Sequence, residues 1–249
     1  MRHVNLLAAI TVAGTLFLSS CNSGGEKKTD ENSKDTSAVK TDTSATTTTT
    51  TMATAPSGPT SIMTVKAKVA NFAKWKTSYE SNDSMREANG LHKYIVARGT
   101  EDSNMVLVAT RMDDVDKAKQ FASSPALKER MKKAGIIGPP AIDFLTAVTN
   151  DTTALQQTVR LMVKHRVKDW DAWKKVFDSH KQARMDAGLT DRVLAHTVGD
   201  DHRVTIVFAV ADVAKAKAFI NSKDLKDKMK EGGIEGAPNF FFYRVVAKY

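Results

Sequence analysis

The residues best suited to chemistry stand in one helical stripe, and the stripe occurs twice. Trp173, Phe177, His180 and Arg184 follow steps of four, three and four, which places them on one face of a helix; Trp75, Tyr79, Asn82 and Arg86 keep the same steps. The rings are either core or one wall of a ligand pocket. The guanidinium at the end of each stripe has two readings. Near a helix C-terminus it is favoured by the macrodipole, reaching water or pairing with an acid. At the closed end of a pocket it would bind an anionic or carbonyl oxygen of a small ligand, or stabilise a developing enolate. His180 adds a group whose ordinary pKa is about 6.5 and that can serve as a base. The candidate ligand-binding residues are therefore Trp75, Tyr79, Asn82, Arg86, Trp173, Phe177, His180 and Arg184, with His180 and Arg184 the candidates for catalysis. Asn82 replaces the histidine in the first stripe, so proton chemistry would be confined to the second.

Other constellations carry less. His165 lies on the apolar phase of a strand, as a pocket residue or a core histidine; His196 is on a strand, and His92 and His202 flank turns. None has metal-ligand spacing with another His, Asp or Glu, so no metal site is expected. Gly135-Ile136-Ile137-Gly138-Pro139-Pro140 and Gly233-Ile234-Glu235-Gly236-Ala237-Pro238 lack the basic partner of a phosphate loop and read as helix-to-strand loops, and no cofactor is implied. Cys21 is the only cysteine, which excludes a disulfide framework.

The elements that position the stripes are themselves duplicated. Trp75-Lys76 recurs 98 positions later as Trp173-Lys174, and without a gap Arg86, Gly90-Leu91, Phe121, Leu127-Lys128, Gly135-Ile136 and Phe144 recur as Arg184, Gly188-Leu189, Phe219, Leu225-Lys226, Gly233-Ile234 and Phe242. Two copies of domain size are a duplicated domain, not a solenoid. In the second copy Val159, Leu161, Val163, His165 and Val167 alternate with Arg160, Met162, Lys164 and Arg166, a strand. A helix runs from the N-cap Asp169 to Gly188, strands cover Val193–Val198 and Val204–Val210, a second helix spans Asp212–Lys230 with a break near Ser222, and Phe240–Val246 is the last strand. The first copy repeats this over Val65–Val69, Asn71–Asn89, Tyr94–Arg98, Met105–Arg111, Asp114–Lys133 and Ile142–Val148. The order is β-α-β-β-α-β, the ferredoxin-like unit, so the fold class is α+β. Helices cover one sheet face only, and the second unit supplies a cover for the other.

With that order, residues 61–249 resemble a tandem member of the dimeric α/β-barrel superfamily, in which two ferredoxin-like halves close their sheets into one barrel. Val167-Lys168-Asp169-Trp170-Asp171-Ala172-Trp173, Ser222-Lys223-Asp224-Leu225 and Ser124-Pro125-Ala126-Leu127 resemble uncharacterised relatives in the antibiotic-biosynthesis monooxygenase-like branch. The resemblance implies an intramolecular barrel, and a branch whose enzymes oxidise polycyclic phenols without metal or flavin by means of Trp, Asn, Tyr and Arg. Those types are present as Trp75, Tyr79, Asn82 and Arg86 but do not match the family motif position by position. The acid-x-Trp segment of the third strand is replaced by Val106-Leu107-Val108-Ala109-Thr110-Arg111, so activity does not carry over.

The N-terminal sequence points to the envelope. Arg2 and His3 precede an apolar run, Leu6 to Leu18, with signal-peptide flanks, and Leu18-Ser19-Ser20-Cys21 resembles a bacterial lipobox. Residues 1–20 are expected to be a lipoprotein signal peptide and Cys21 the acylated residue; several acyl chains on one residue make a stable anchor. Residues 21–60, rich in Ser and Thr, offer little to bury and read as a disordered tether. Repeat 1 is expected over 61–149, a linker over 150–157 and repeat 2 over 158–249. Asn22 favours the outer membrane if the host is Gram-negative. The net charge of +9 lies in the folded part, largely on the second helix of each copy, as a solvated face or a contact for anionic head groups. Nucleic acid is not an expected partner.

These readings make the chain a membrane-anchored envelope lipoprotein, a monomeric pseudo-dimer that binds small apolar or anionic ligands. The alternatives are a cofactor-independent monooxygenase or isomerase, with His180 as base and Arg184 stabilising an enolate, and a non-catalytic scaffold contacting anionic envelope components.

Overall fold

Strand alternation and helix period in each copy produce a four-stranded antiparallel sheet with one face under helices. The computed structural model describes residues 60–249; the expected signal peptide, Cys21 and the tether to residue 59 lie outside the described residues. The first repeat comprises β1 (Thr60–Val69), α1 (Phe72–Ser81), α2 (Asp83–Glu87), β2 (Leu91–Gly99), β3 (Met105–Met112), α3 (Val115–Ser123), α4 (Pro125–Lys133) and β4 (Ile136–Asn150). The second comprises β5 (Val159–Val167), α5 (Trp170–Ser179), α6 (Lys181–Asp186), β6 (Leu189–Thr197), β7 (Asp200–Val210), α7 (Val213–Ile220), α8 (Lys223–Glu231) and β8 (Ile234–Lys248).

Local chemistry sets the helix ends. Asn71, Asp114, Asp169 and Asp212 each accept a hydrogen bond from the backbone N–H three residues on, the N-cap geometry. The long helices expected over 71–89 and 169–188 are each broken, at Asn82 (φ −103°, ψ 25°) and His180 (φ −93°, ψ 14°). The helix expected over 114–133 is also broken: Ser124 precedes Pro125, whose ring drives it to extended backbone (φ −64°, ψ 140°), and it then caps α4. The segments expected to be loops after Gly135 and Gly233 are strand instead. Ile136 pairs with Val69 and Ile234 with Val167, and a register shift in each ladder takes up the extra residues around Gly138 and Gly236, both at φ 71°.

The eight strands close into one barrel in the order β1-β3-β2-β8-β5-β7-β6-β4. Two antiparallel seams join the repeats. Ile95–Gly99 of β2 pairs with Tyr243–Lys248 of β8, and Leu145–Asn150 of β4 pairs with Val193–Thr197 of β6. Two cores lie between sheet and helices, one around Val69, Leu91 and Trp75, the other around Leu161, Val167 and Trp173. Further buried clusters fill the lumen, with Ala97, Leu107, Met162, Val207 and Tyr243 in one of them. The fold is α+β: two ferredoxin-like repeats forming an intramolecular α/β barrel.

Separated from its partner, one repeat would expose its lumen face and two unpaired edges, β2 and β4. A fragment of residues 60–150 is therefore expected to elute from a sizing column with light-scattering detection at twice its mass. A stable monomer would show that the seams are not what completes the fold.

Candidate functional site

The two stripes face the sheets, and each lines a cavity between sheet and helices. The first cavity, of about 90 Å³, is lined by Trp75, Tyr79, Asn82 and Arg86; the second, of about 70 Å³, by Trp173, Phe177, His180 and Arg184. Each stripe forms a pile of flat groups. Trp75 stacks on Tyr79 with centroids 5.4 Å apart, and the Arg86 guanidinium lies 3.9 Å from the Tyr79 ring centre. Trp173 stacks on Phe177 at 5.1 Å, with Arg184 at 3.7 Å from the Phe177 ring. Both arginines are buried, 6% and 4% exposed, so each charge needs a counter-ion.

The repeats meet that need differently. Arg184 donates from Nε (3.0 Å) and Nη2 (2.7 Å) to the two carboxylate oxygens of Asp191, and from Nη1 to the Phe177 carbonyl. This bidentate pair is the strong geometry for a guanidinium. At the position 98 residues before Asp191 stands Lys93, so Arg86 takes its acid from within its own helix: Nη2 meets Asp83 Oδ1 at 3.1 Å, and Lys93 pairs with the other oxygen at 2.5 Å. Burial opposes the ionised Asp83, but the bond from Lys93 and the charge of Arg86 outweigh it and hold its pKa below the usual range. Arg86 Nε is left buried with no protein partner, and so is the hydroxyl of Tyr79. Burial pushes the Tyr79 pKa up, helped by Asp83 and Glu80 and opposed by Arg86, so the phenol stays neutral.

The residue at each helix break ties the two helix layers together. Asn82 donates to the Ser78 carbonyl and accepts from Arg130 Nη1 at 2.6 Å; His180 Nε2 lies 2.7 Å from Asp224 Oδ2. Asp224 is largely exposed. These side chains latch α1 to α4 and α5 to α8 beside the cavities.

A histidine outside the stripe completes the second cavity. His165, on β5, lines it with both ring nitrogens buried and unpartnered, its ring 5.4 Å from that of Trp173. Burial lowers its pKa to about 4, so it is a neutral imidazole at physiological pH. The first repeat has Ala67 there, also lining its cavity. Only the position of His165 on the apolar strand phase hinted at this in the sequence. His92 pairs with Asp113 near the surface, while His196 and His202 meet backbone carbonyls. Among the described residues, no three His, Cys, Asp or Glu side chains converge as metal ligands, and no helix is long and apolar enough to cross a membrane.

The depressed pKa of His165 sets a pH dependence. Below about pH 6.5 the unfolded chain binds a proton at this residue that the folded chain refuses down to about pH 4, so stability falls as pH drops through that window. The loss amounts to roughly 3 kcal/mol. Urea melts of His165→Leu are expected to be flatter between pH 6.5 and 4 than those of the wild type, by about that amount. Equal slopes would show that His165 is protonated in the folded protein.

No protein-family model and no curated protein matches the sequence. Among solved structures, the chain resembles a candidate monooxygenase from Fusobacterium nucleatum subsp. nucleatum at 11% identity, covering 77% of this chain and 94% of that one, with a TM-score of 0.51. It also resembles an anthrone oxidase-like protein at 13% identity, covering 76% and 92%, with a TM-score of 0.54. At such identities what is shared is the fold, the ferredoxin-like α+β barrel.

Proposed function

We propose that this chain is a small-ligand-binding module, with one cavity between sheet and helices in each repeat, held at a bacterial envelope membrane by acylated Cys21. The observation that carries the binding reading is the pair of buried, orphaned polar atoms on residues that line the first cavity, Arg86 Nε and Tyr79 Oη. Each buried polar group without a partner costs roughly 1–3 kcal/mol, and an apolar fold has no use for either. A ligand oxygen lodged between them would accept from both. Apart from Ser78, Asn82 and Arg130 the rest of the wall is apolar, with Met63, Val108 and Met131 among its residues, so the ligand class is a small apolar body bearing one carbonyl, phenolic or carboxylate oxygen. Opening the Asn82–Arg130 latch would admit a body larger than the present volume. The second cavity differs. Three of the five N–H bonds of Arg184 are committed to Asp191 and Phe177, and the unpartnered groups are the nitrogens of His165.

A cofactor-independent oxygenase or isomerase acting at the second cavity is the other reading. Its support is the His180–Asp224 contact, since a carboxylate on one ring nitrogen fixes the tautomer and aim of a base. The engagement of Arg184 with Asp191 removes its main donors from a developing enolate. That weighs toward binding.

The protein purified from membranes in mild detergent is expected to carry extra mass under native ionisation that is lost on denaturation, and Arg86→Met is expected to lose it while melting within a few degrees of the wild type. Unfolding of the variant, or an unchanged ligand load, would assign Arg86 to structure alone. For the anchor, denaturing mass spectra should show a diacylglyceryl-modified N-terminal cysteine at residue 21, and Cys21→Ala should leave the protein unacylated and outside the membrane fraction. Wild-type protein with an intact, unmodified residue 21 would end that part of the proposal.

A further inference from the structure

A third cavity, of about 110 Å³, lies in the barrel lumen, between the repeats and apart from the two stripes. Its lining is built from positions related by the duplication, and the two repeats fill them differently. Where the first repeat places Ile62, Tyr94, Leu107 and Leu145, the second places Arg160, Arg192, Thr205 and Tyr243, each 98 positions on. At these four positions the first repeat is mostly apolar and the second polar or basic, while Met162, Val193 and Val207 keep the rest of the second repeat's wall apolar. Arg160 is 5% exposed and Arg192 7%.

The charges on that wall are unequally matched. Arg192 donates from Nη1 to Asp151 Oδ2 at 2.6 Å and from Nη2 to the Thr153 carbonyl at 2.5 Å, which ties the inter-repeat linker to β6. Arg160 has no carboxylate partner among the described residues. Its Nη1 donates to the carbonyls of Gln157 (2.7 Å) and Val159 (2.9 Å), which orient the side chain without neutralising it. Burial pulls its pKa down and the nearby charge of Arg192 adds to the effect, while Tyr243, whose own pKa burial raises, works the other way. A guanidinium buried without a counter-charge costs several kcal/mol, and the first repeat shows that Ile62 serves at the same place in the barrel. Lys248 lies at the rim of the same cavity, so Asp151 is outnumbered.

We propose that the lumen is an anion site that takes a small branched or unbranched monocarboxylate, its carboxylate on Arg160 and its apolar body against Ile62, Leu107, Met162 and Val207. The carboxylate must bring an apolar body because Ile62, Leu107, Met162 and Val207 present only hydrocarbon or thioether surface beside it. The site is distinct from the cavities under the helices and would stand if those proved empty.

Methionine methyl signals report which cavity is filled, because Met162 lines the lumen, Met85 and Met131 the first helix-side cavity and Met229 the second. The full chain, labelled at its methionine methyls and held in detergent micelles, should be titrated with 3-methylbutanoate. Saturable movement of the Met162 signal is expected, with 3-methylbutanol at least tenfold weaker and Arg160→Met at least tenfold weaker for the acid. Movement confined to Met85, Met131 or Met229 would overturn the proposal, as would no movement at Met162 or equal binding of acid and alcohol. If Arg160→Met folds and binds the acid like the wild type, the site is not at Arg160. If that variant does not fold, the wild-type pattern and the acid–alcohol comparison decide.

Discussion

The structure depends on the fact that a ferredoxin-like sheet has two faces and its helices cover one. The exposed face would present a broad apolar surface to water, and the edges β2 and β4 would offer unpaired backbone groups. Both problems are solved by the same contact, the antiparallel seams β2–β8 and β4–β6. The duplication puts equivalent residues at equivalent points: Ala97 and Ala195, 98 positions apart and both fully buried, lie one in each seam. Closing the seams turns a pair of two-layer sandwiches into a barrel whose strands are buried on both sides. The lumen and its lining from both repeats follow from that closure.

On this common scaffold the two halves hold the same buried arginine by different acids. Position 83 is Asp and position 93 Lys in the first repeat; positions 181 and 191 are Lys and Asp in the second. The exchange moves the counter-ion from the helix to strand β6 and changes a single contact into a bidentate one. A guanidinium gripped through Nε and Nη2 is structural, whereas one held through Nη2 alone keeps an N–H for something else. The latches follow the same logic, Asn82 with Arg130 in one half and His180 with Asp224 in the other. Equal backbones therefore carry unequal sites.

Much of this was legible in the sequence, and the illegible parts have physical causes. Helix period places Trp75, Tyr79, Asn82 and Arg86 on one face, and the structure places them on one cavity, because a side chain's direction from a helix is set by geometry alone. Whether Arg86 or Arg184 is saturated depends on an acid supplied by a different element, which spacing along one helix does not reveal. Alternation puts Arg160 and Lys164 on the sheet face away from the helices, but does not tell which side chains of the other repeat they meet there. That information sits in the seams, which join residues from different copies. The breaks at Asn82 and His180 were also hidden, since neither residue is a strong helix breaker. The glycine and proline after residues 135 and 233 masked strands that tolerate them as bulges.

The lumen adds a reason why duplication matters here. In a symmetric dimer of identical subunits every residue near the two-fold axis meets its own copy. An arginine at the position of Arg160 would then put a second arginine on the same cavity, two buried like charges in a space of low dielectric constant, and a repulsion of that kind selects for an apolar residue at both places. A covalent pair is free of this restriction. Ile62 can stand where symmetry would demand Arg, and Tyr94 where it would demand a second Arg192, so the two repeats can line one cavity with unequal charge. An amphipathic ligand, charged at one end and apolar along one side, fits an asymmetric lumen and has no equivalent orientation in a symmetric one. The tandem chain thus makes available a binding geometry that two identical subunits could not build.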